Sequence, residues 1–175
     1  RIQNWYGRLP SLFLYDEKKF SAQFGWSKEP TKFENRMSLD YKPIHEEDSW
    51  GKKWESAWFH LKGQTPKDWS GHTIATRLDF SGEGLVFKSS GEVLQGITNA
   101  SIWDQNFART RVVLLEEAKG DDELELWVEA AANSLFGVFT ETDPEENSPK
   151  RHGWFDAKVE AMRFGIFDAD LWHLY

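Results

Sequence analysis

Hydrophobic and polar residues alternate with a period of two along several stretches of this chain. In residues 73–80 one face of the alternation carries Ile74, Thr76, Leu78 and Phe80. This pattern is typical of a β-strand that has one face in a hydrophobic core. Residues 57–62 predict another strand, and glycine-rich turns at 82–84 and near Gly91 separate two more. The pattern therefore predicts four successive strands, a β-meander, between residues 57 and 98.

Further strands are predicted on both sides of this meander. Residues 32–41 predict an edge strand, and residues 110–116 and 124–131 predict a second hairpin. Residues 154–167 alternate as one long final strand. Because helical periodicity is nearly absent, we expect an all-β sandwich of six to nine strands, built as a single domain over residues 1–175.

Three regions are expected within this domain. Residues 1–49 form an irregular lead and an edge strand, residues 50–167 form the sandwich core, and residues 168–175 begin a helix. Eight apolar residues lie within the predicted strands, and by alternation we expect several of them to point into the core: Trp58, Phe59, Leu61, Leu78, Phe80, Val86, Leu126 and Val128. The chain also contains 10 Trp, 13 Phe and 4 Tyr. Large rings suit half-buried sheet surfaces, so we expect most of them in the core. The alternative is that exposed rings form a platform on which a sugar stacks.

Charge and composition narrow the classes of partner. The formal net charge is −8, so nucleic acids and anionic membranes would be repelled at long range. No apolar run reaches the roughly 18 residues that a membrane-spanning helix needs, so we expect a soluble protein. The absence of cysteine excludes disulfides and thiolate chemistry. Because the first residue is Arg1 and no apolar signal segment follows, we expect a piece of a longer polypeptide.

The residues that usually carry chemistry show no recognisable motif. None of the five histidines has a metal-ligand spacing; they are His45, His60, His72, His152 and His173. The segment at 82–84 joins two strands, which indicates a tight turn and not a phosphate loop. We therefore predict no metal, cofactor-binding or catalytic residue in this chain.

Two carboxylates are the best candidates for acid–base work. Asp79 and Glu129 lie in apolar strands, where desolvation could raise a pKa, but outward-facing surface positions explain them equally well. The acidic run at residues 46–48 is expected to be a solvated loop.

Seven short motifs follow one another between residues 50 and 137. They are Trp50-Gly51-Lys52-Lys53-Trp54, Trp58-Phe59, Thr65-Pro66-Lys67-Asp68-Trp69-Ser70-Gly71, Leu78-Asp79-Phe80, Glu83-Gly84-Leu85-Val86-Phe87, Gly91-Glu92-Val93-Leu94-Gln95-Gly96, and Glu129-Ala130-Ala131-Ala132-Asn133-Ser134-Leu135-Phe136-Gly137. Together they resemble the region ahead of the catalytic domain in α-mannosidases of glycoside hydrolase family 38.

This resemblance implies a non-catalytic β-sandwich of the jelly-roll or galactose-binding type that packs against the enzyme body. In the family, hydrolysis belongs to a separate α/β domain that holds zinc through His and Asp ligands and uses an Asp nucleophile. None of those motifs matches a position here, so no catalytic residue is carried over. Zinc is expected only in that missing domain, and the expected partner of this chain is the downstream catalytic domain of the same polypeptide.

Three classes of function remain open at this point. The first is an accessory domain of an α-mannosidase, with weak or no sugar binding. The second is an autonomous carbohydrate-binding module of another glycosidase, and the third is a small enzyme in its own right. A homo-oligomer is compatible with each.

The last eight residues predict the start of a linker helix. Asp168 or Asp170 supplies a helix N-cap, and an apolar run follows at Leu171, Trp172, Leu174 and Tyr175. A helix this short is marginal in water. We therefore expect residues 171–175 to be frayed or packed against a neighbouring molecule.

Overall fold

The computed structural model describes residues 12–52, 54–98, 109–133 and 156–173. These residues form twelve β-strands, two short 3₁₀ helices and one α-helix. The strands are β1 Leu14–Lys19, β2 Ser21–Ser27, β3 Tyr41–Pro43, β4 Ser49–Lys52, β5 Ser56–Gln64, β6 Ile74–Asp79, β7 Glu83–Lys88, β8 Val93–Thr98, β9 Val113–Leu115, β10 Glu123–Ala131, β11 Asp156–Lys158 and β12 Ala161–Phe167. The 3₁₀ helices are Phe33–Ser38 and Lys67–Trp69, and α1 is Ala169–His173.

The strands assemble into two main antiparallel sheets. The large sheet has the order β3-β2-β5-β10-β7-β8, and the small sheet has the order β1-β12-β6-β9. Strands β4 and β11 pair separately. This two-layer arrangement is the predicted all-β sandwich with jelly-roll architecture.

The core lies between the two main sheets. Strand β10 sends Leu124, Leu126, Val128 and Ala130 inward, and β6 sends Ile74 and Leu78 to meet them. Phe59 of β5 contacts Phe80 with a ring-centroid distance of 4.3 Å. The indole of Trp50 donates a hydrogen bond to the Phe80 carbonyl, so the buried N–H has an acceptor.

The eight apolar strand residues from which we expected the inward-pointing ones are all buried. Seven of them face the space between the sheets. Trp58 differs, because it lies on the opposite face of the large sheet in a separate apolar cluster with Phe87 and Trp127.

The predicted meander is wrong. Strand β5 belongs to the large sheet, β6 to the small sheet, and β7 returns to the large sheet, where it pairs with β10 and β8. Only β7 and β8 form the predicted hairpin around Gly91, whose φ of +90° suits glycine. Alternation shows that a strand has one buried face, but it does not show which sheet supplies the partner.

The second predicted hairpin and the long final strand are also wrong. Strand β9 pairs with β6 in the small sheet, whereas β10 pairs with β5 and β7. The final stretch divides into β11 and β12, which lie in different sheets. Ala157 and Val159 belong to the core, but the inward face of β12 carries Met162, Phe164 and Ile166 and not Ala161, so the alternation changes phase between the two strands.

The N-terminal region contains more regular structure than expected. Strands β1 and β2 lie where an irregular lead was predicted, although residues 1–11 fall outside the described ranges. Residues 33–38, predicted as strand, form a 3₁₀ helix. Strand β1 escapes the pattern because it is mostly exposed and bulges near Asp16, whose φ is +54°.

Within the described ranges, no helix has the length and apolar character needed to cross a bilayer.

Candidate functional site

The outer face of the large sheet is closed by the chain itself. Trp58, Phe87 and Trp127 are buried there, under partly buried side chains from residues 33–41. The closing segment approaches Gly25 of β2 so closely that a Cβ at this position would lie 2.7 Å from the Leu39 Cβ. Glycine is therefore required for this contact.

Arg36 fastens this covering segment to the sheet. Its guanidinium carbon lies 3.6 Å from the Phe33 ring centroid and 4.4 Å from that of Trp127. Its Nη1 also donates to the Phe33 carbonyl at 2.8 Å. The Tyr41 hydroxyl donates to the Arg36 carbonyl, and burial raises the pKa of Tyr41 to about 12 despite the nearby guanidinium. These contacts hold the covering segment on the sheet, although the buried Nε of Arg36 has no hydrogen-bond partner in the described part of the chain.

A histidine and a glutamate meet at the margin of this covered face. The His60 ring stacks on Trp127 with centroids 3.9 Å apart, and its Nε2 lies 2.6 Å from Oε1 of Glu125. The Ser89 hydroxyl donates to Oε2 of Glu125 at 2.6 Å. Hydrogen bonds from Ser89 and His60 lower the pKa of Glu125. Sequence reasoning missed this group, although His60 and Glu125 occupy outward positions of strands that pair.

The two carboxylates singled out from the sequence are not brought together. Asp79 ends β6 in the small sheet, and Glu129 lies in β10 in the large sheet. Burial raises the pKa of each, as we expected from their apolar strands. Asp79 also accepts a hydrogen bond from the Ser81 amide at 2.9 Å, so it stabilises the turn before β7.

The prediction that the acidic run at residues 46–48 is a solvated loop holds for Glu47 and Asp48 but is wrong for Glu46. The Glu46 side chain is only 6% exposed and accepts from Arg163 through both oxygens, at 2.7 and 2.8 Å. Lys19 and the Met162 amide supply two further donors. Glu47 and Asp48 are both exposed, and Asp48 accepts from the His45 amide.

These donors hold the pKa of Glu46 down to about 2, and the hydrogen bond from Arg163 is the largest cause. Every oxygen of the carboxylate has a partner, so Glu46 is a structural ion-pair centre. It joins the loop before β4 to strands β1 and β12. Nothing in sequence spacing could reveal it, since Arg163 lies 117 positions away.

The outer face of the small sheet differs from that of the large sheet. Phe13, Leu14, Ala75 and Phe167 form a buried cluster there, and Leu171 of α1 packs against it. Asp168 caps α1 by accepting from the Leu171 amide at 2.8 Å, which confirms the predicted N-cap. The Trp172 ring contacts Phe13 edge-on at 5.2 Å. Leu171 and Trp172 therefore contact their own domain, while residues 174–175 of the run that was expected to be frayed or covered by a neighbouring molecule lie outside the described ranges.

The histidines do not assemble a metal centre in the described part of the chain. No group of three or more His, Asp or Glu side chains that could hold a metal ion occurs there. His45 lies 3.4 Å from the Asp48 carboxylate, and His72 and His173 are exposed. His152 lies outside the described residues.

Three of the motifs that carry the family resemblance contact one another: those that begin at Trp50, Glu83 and Glu129. Asn133 accepts from the Glu83 amide at 3.0 Å and donates to the Glu83 carboxylate at 2.8 Å. The Ala132 carbonyl accepts from the Trp54 amide at 2.9 Å. Ala132 is fully buried, and its methyl would lie 3.3 Å from a Cβ at Gly51. The alanine run is therefore a packing feature, while residues 134–137 lie outside the described ranges.

Comparison with known proteins agrees with this geometry. The family described as "Alpha-mannosidase, jelly roll domain" matches residues 18–160. Alpha-mannosidase G of Dictyostelium discoideum is 29% identical over 136 residues, which cover 78% of this chain and 12% of that protein. Human alpha-mannosidase 2C1 is 30% identical over 121 residues, covering 65% of this chain and 11% of that protein. The chain thus spans only about a tenth of the length of these relatives.

A solved structure supports the fold independently. The β-glucuronidase of Faecalibacterium prausnitzii is similar over 87% of this chain and 31% of its own, with a TM-score of 0.50 and 12% identity. At this identity the likeness concerns the fold alone. The family match over residues 18–160 identifies this chain as a member of the family of alpha-mannosidase jelly roll domains.

Proposed function

We propose that this chain is a non-catalytic accessory domain of an α-mannosidase and that it has a structural role in folding and assembly. The family match carries this proposal, since it assigns the sandwich to a domain that spans about a tenth of its relatives' length. The names of those relatives suggest that the longer polypeptide hydrolyses α-mannosides. The partner of this chain would then be the catalytic domain of the same polypeptide, and zinc would belong to that domain.

The use of its polar side chains supports a structural role. Glu46 is held by Arg163 and Lys19, and Glu125 by His60 and Ser89. Asp79 accepts from the Ser81 amide and stabilises a turn. A carboxylate that is already committed to cations or to backbone amides is poorly placed to move a proton or to attack a sugar.

An assay of aryl α-mannoside hydrolysis tests the proposal that this chain is non-catalytic. We expect no turnover by the purified chain with zinc, cobalt or calcium added, and turnover by the whole α-mannosidase polypeptide under the same conditions. Turnover by the chain alone above a buffer blank would overturn the proposal.

A glycan array tests the alternative of an autonomous carbohydrate-binding module. Trp26 and Trp54 are the tryptophans with most exposure among the described residues, at 47% and 54%. The Trp26 indole already donates to Glu55, which also accepts from the Lys52 amide. We therefore expect weak or no binding to any glycan. Specific binding that Trp54→Ala abolishes would favour the module instead.

A further inference from the structure

The outer face of the small sheet contains a half-buried arginine that lies among aromatic rings. The guanidinium carbon of Arg111 is 3.8 Å from the ring centroid of Trp172, 5.0 Å from Phe167 and 5.6 Å from Phe13. Burial lowers the pKa of Arg111. Ring contacts engage the flat faces of a guanidinium and leave the N–H donors at its edge available.

No acceptor within the described ranges forms a side-chain hydrogen bond or ion pair with Arg111. Only its main-chain carbonyl is engaged, by the Gln95 side chain at 2.8 Å. The cationic groups elsewhere on this face are paired, since Arg77 binds Glu17 and Arg163 binds Glu46. An acceptor from a partner would form charge-assisted hydrogen bonds with these donors, which are stronger than bonds between neutral groups.

Exposed apolar side chains lie beside this arginine. Val113 of the edge strand β9 pairs with Ala75 and therefore shares its face of the small sheet. Val113 is 45% exposed and Trp172 is 39% exposed. The paired charges of Arg77 and Arg163 lie farther along the same sheet, opposite each other on β6 and β12. An apolar centre with a charged margin is the usual composition of a protein interface.

We propose that Arg111, Val113, Phe167, Leu171 and Trp172 form the surface on which the catalytic portion of the same α-mannosidase polypeptide packs. That portion presents a carboxylate or a main-chain carbonyl to Arg111. The inference rests on the proposed function. This portion of the polypeptide is the expected occupant because α1 already lies on this face and because the matched residues cover only 11–12% of the relatives' length.

Thiol labelling tests this surface cleanly, because the chain contains no cysteine. Single replacements Val113→Cys and, as matched control, Val93→Cys place a thiol on exposed edge strands of the two different sheets. Val93 is 51% exposed. Each variant is labelled with a maleimide in the chain alone and in the whole α-mannosidase polypeptide, and the labelled peptide is quantified by mass spectrometry.

We expect the labelling rate at Val113→Cys to fall by about tenfold or more in the whole polypeptide, while Val93→Cys reacts equally in both. Adding Arg111→Met to Val113→Cys should restore most of the labelling rate. Arg111→Lys should restore less, because a lysine keeps the charge but not the planar donor edge.

Other outcomes overturn the inference in distinguishable ways. Cysteines at Met37 and Trp54, both exposed, complete the panel. If Val93, Met37 or Trp54 is the protected position, the proposed function stands and this surface is wrong. If no position is protected, the chain does not pack on a catalytic domain and both proposals fail. Protection at Val113 that rises with concentration in the isolated chain would assign the surface to a second copy.

Discussion

The two outer faces of the sandwich are closed in different ways. On the large sheet, Trp58, Phe87 and Trp127 are buried under residues 33–41, and Arg36 both stacks on rings and donates to a carbonyl. On the small sheet a five-residue helix and the Phe13 segment cover one end, and Arg111 stacks on rings without an acceptor among the described residues.

The chain itself covers the aromatic cluster on the large sheet, whereas on the small sheet it covers only one end. On both faces an arginine lies over aromatic rings. Arg36 also donates from Nη1 to the Phe33 carbonyl, although its Nε has no hydrogen-bond partner, whereas Arg111 has no side-chain acceptor among the described residues. The remaining small-sheet face is held by ion pairs, Glu17 with Arg77 and Glu46 with Arg163. We therefore expect truncation of aromatic side chains to lower stability most on the large-sheet face. We expect the pH dependence of stability to come mainly from the ion pairs of the small-sheet face.

The largest expected effect is a truncation on the covered face. Trp58 is 1% exposed, so Trp58→Ala should lower the free energy of unfolding by about 3–5 kcal/mol. Trp172→Ala on the other face should cost only about 1 kcal/mol, because the ring is already 39% exposed. Urea denaturation of both variants measures the difference. Equal losses would show that the two faces are equally closed.

The buried ion pair should give the next largest effect. Glu46 has a folded pKa of about 2, below its ordinary 4.5, so it stabilises the fold above pH 4.5 and loses this contribution as the pH falls toward 2. Glu46→Gln should therefore cost up to about 3 kcal/mol at neutral pH and flatten the stability profile between pH 4.5 and 2. Denaturant melts across this range test it. An unchanged pH profile in the variant would contradict the assignment.

Substitution of two glycines by alanine compares the tight contact under the covering segment with an open position in the same sheet. Gly25→Ala places a methyl 2.7 Å from Leu39, which should displace the cover and cost about 1–3 kcal/mol. Gly96→Ala, in the same sheet, meets no atom closer than 3.9 Å and should change stability by less than about 0.5 kcal/mol. Thermal unfolding with circular dichroism distinguishes them, and a harmless Gly25→Ala would show that the cover is not tightly packed.

Replacing the two stacked arginines should give the smallest difference. Arg36→Met removes a hydrogen bond and ring contacts and should cost about 1 kcal/mol in the isolated chain. Arg111→Met should change stability by less than about 0.5 kcal/mol, because the lost ring contacts are offset by removing a desolvated charge. Urea melts at neutral pH measure both, and a larger loss for Arg111 would mean that the chain already satisfies it.

Much of the fold could be predicted from local pattern. The alternation at 73–80 and 124–131 identified strands and their buried faces correctly, because one residue in two must face the core whatever the partner strand is. Pairing could not be predicted in this way. Strands β5 and β6 are consecutive but lie in different sheets, and their separation depends on contacts between distant residues.

The polar clusters were the least predictable features. His60 and Glu125 are 65 positions apart, and Glu46 and Arg163 are 117 apart. Each meets its partner only because the jelly roll brings distant strands together. The 3₁₀ helix at Phe33–Ser38 was mistaken for a strand because Phe33 and Leu39, which both cover the large sheet, fit an alternating pattern by coincidence.

Hydrogen exchange tests the central claim most directly. The claim is that the chain itself covers the outer face of the large sheet, whereas a partner packs on the outer face of the small sheet. Amide protection is measured by mass spectrometry in the isolated chain and in the whole α-mannosidase polypeptide. Protection should rise in the whole polypeptide at residues 111–115 and 169–173 and stay unchanged at 33–41. Equal protection in both forms at 111–115 and 169–173 would contradict the account.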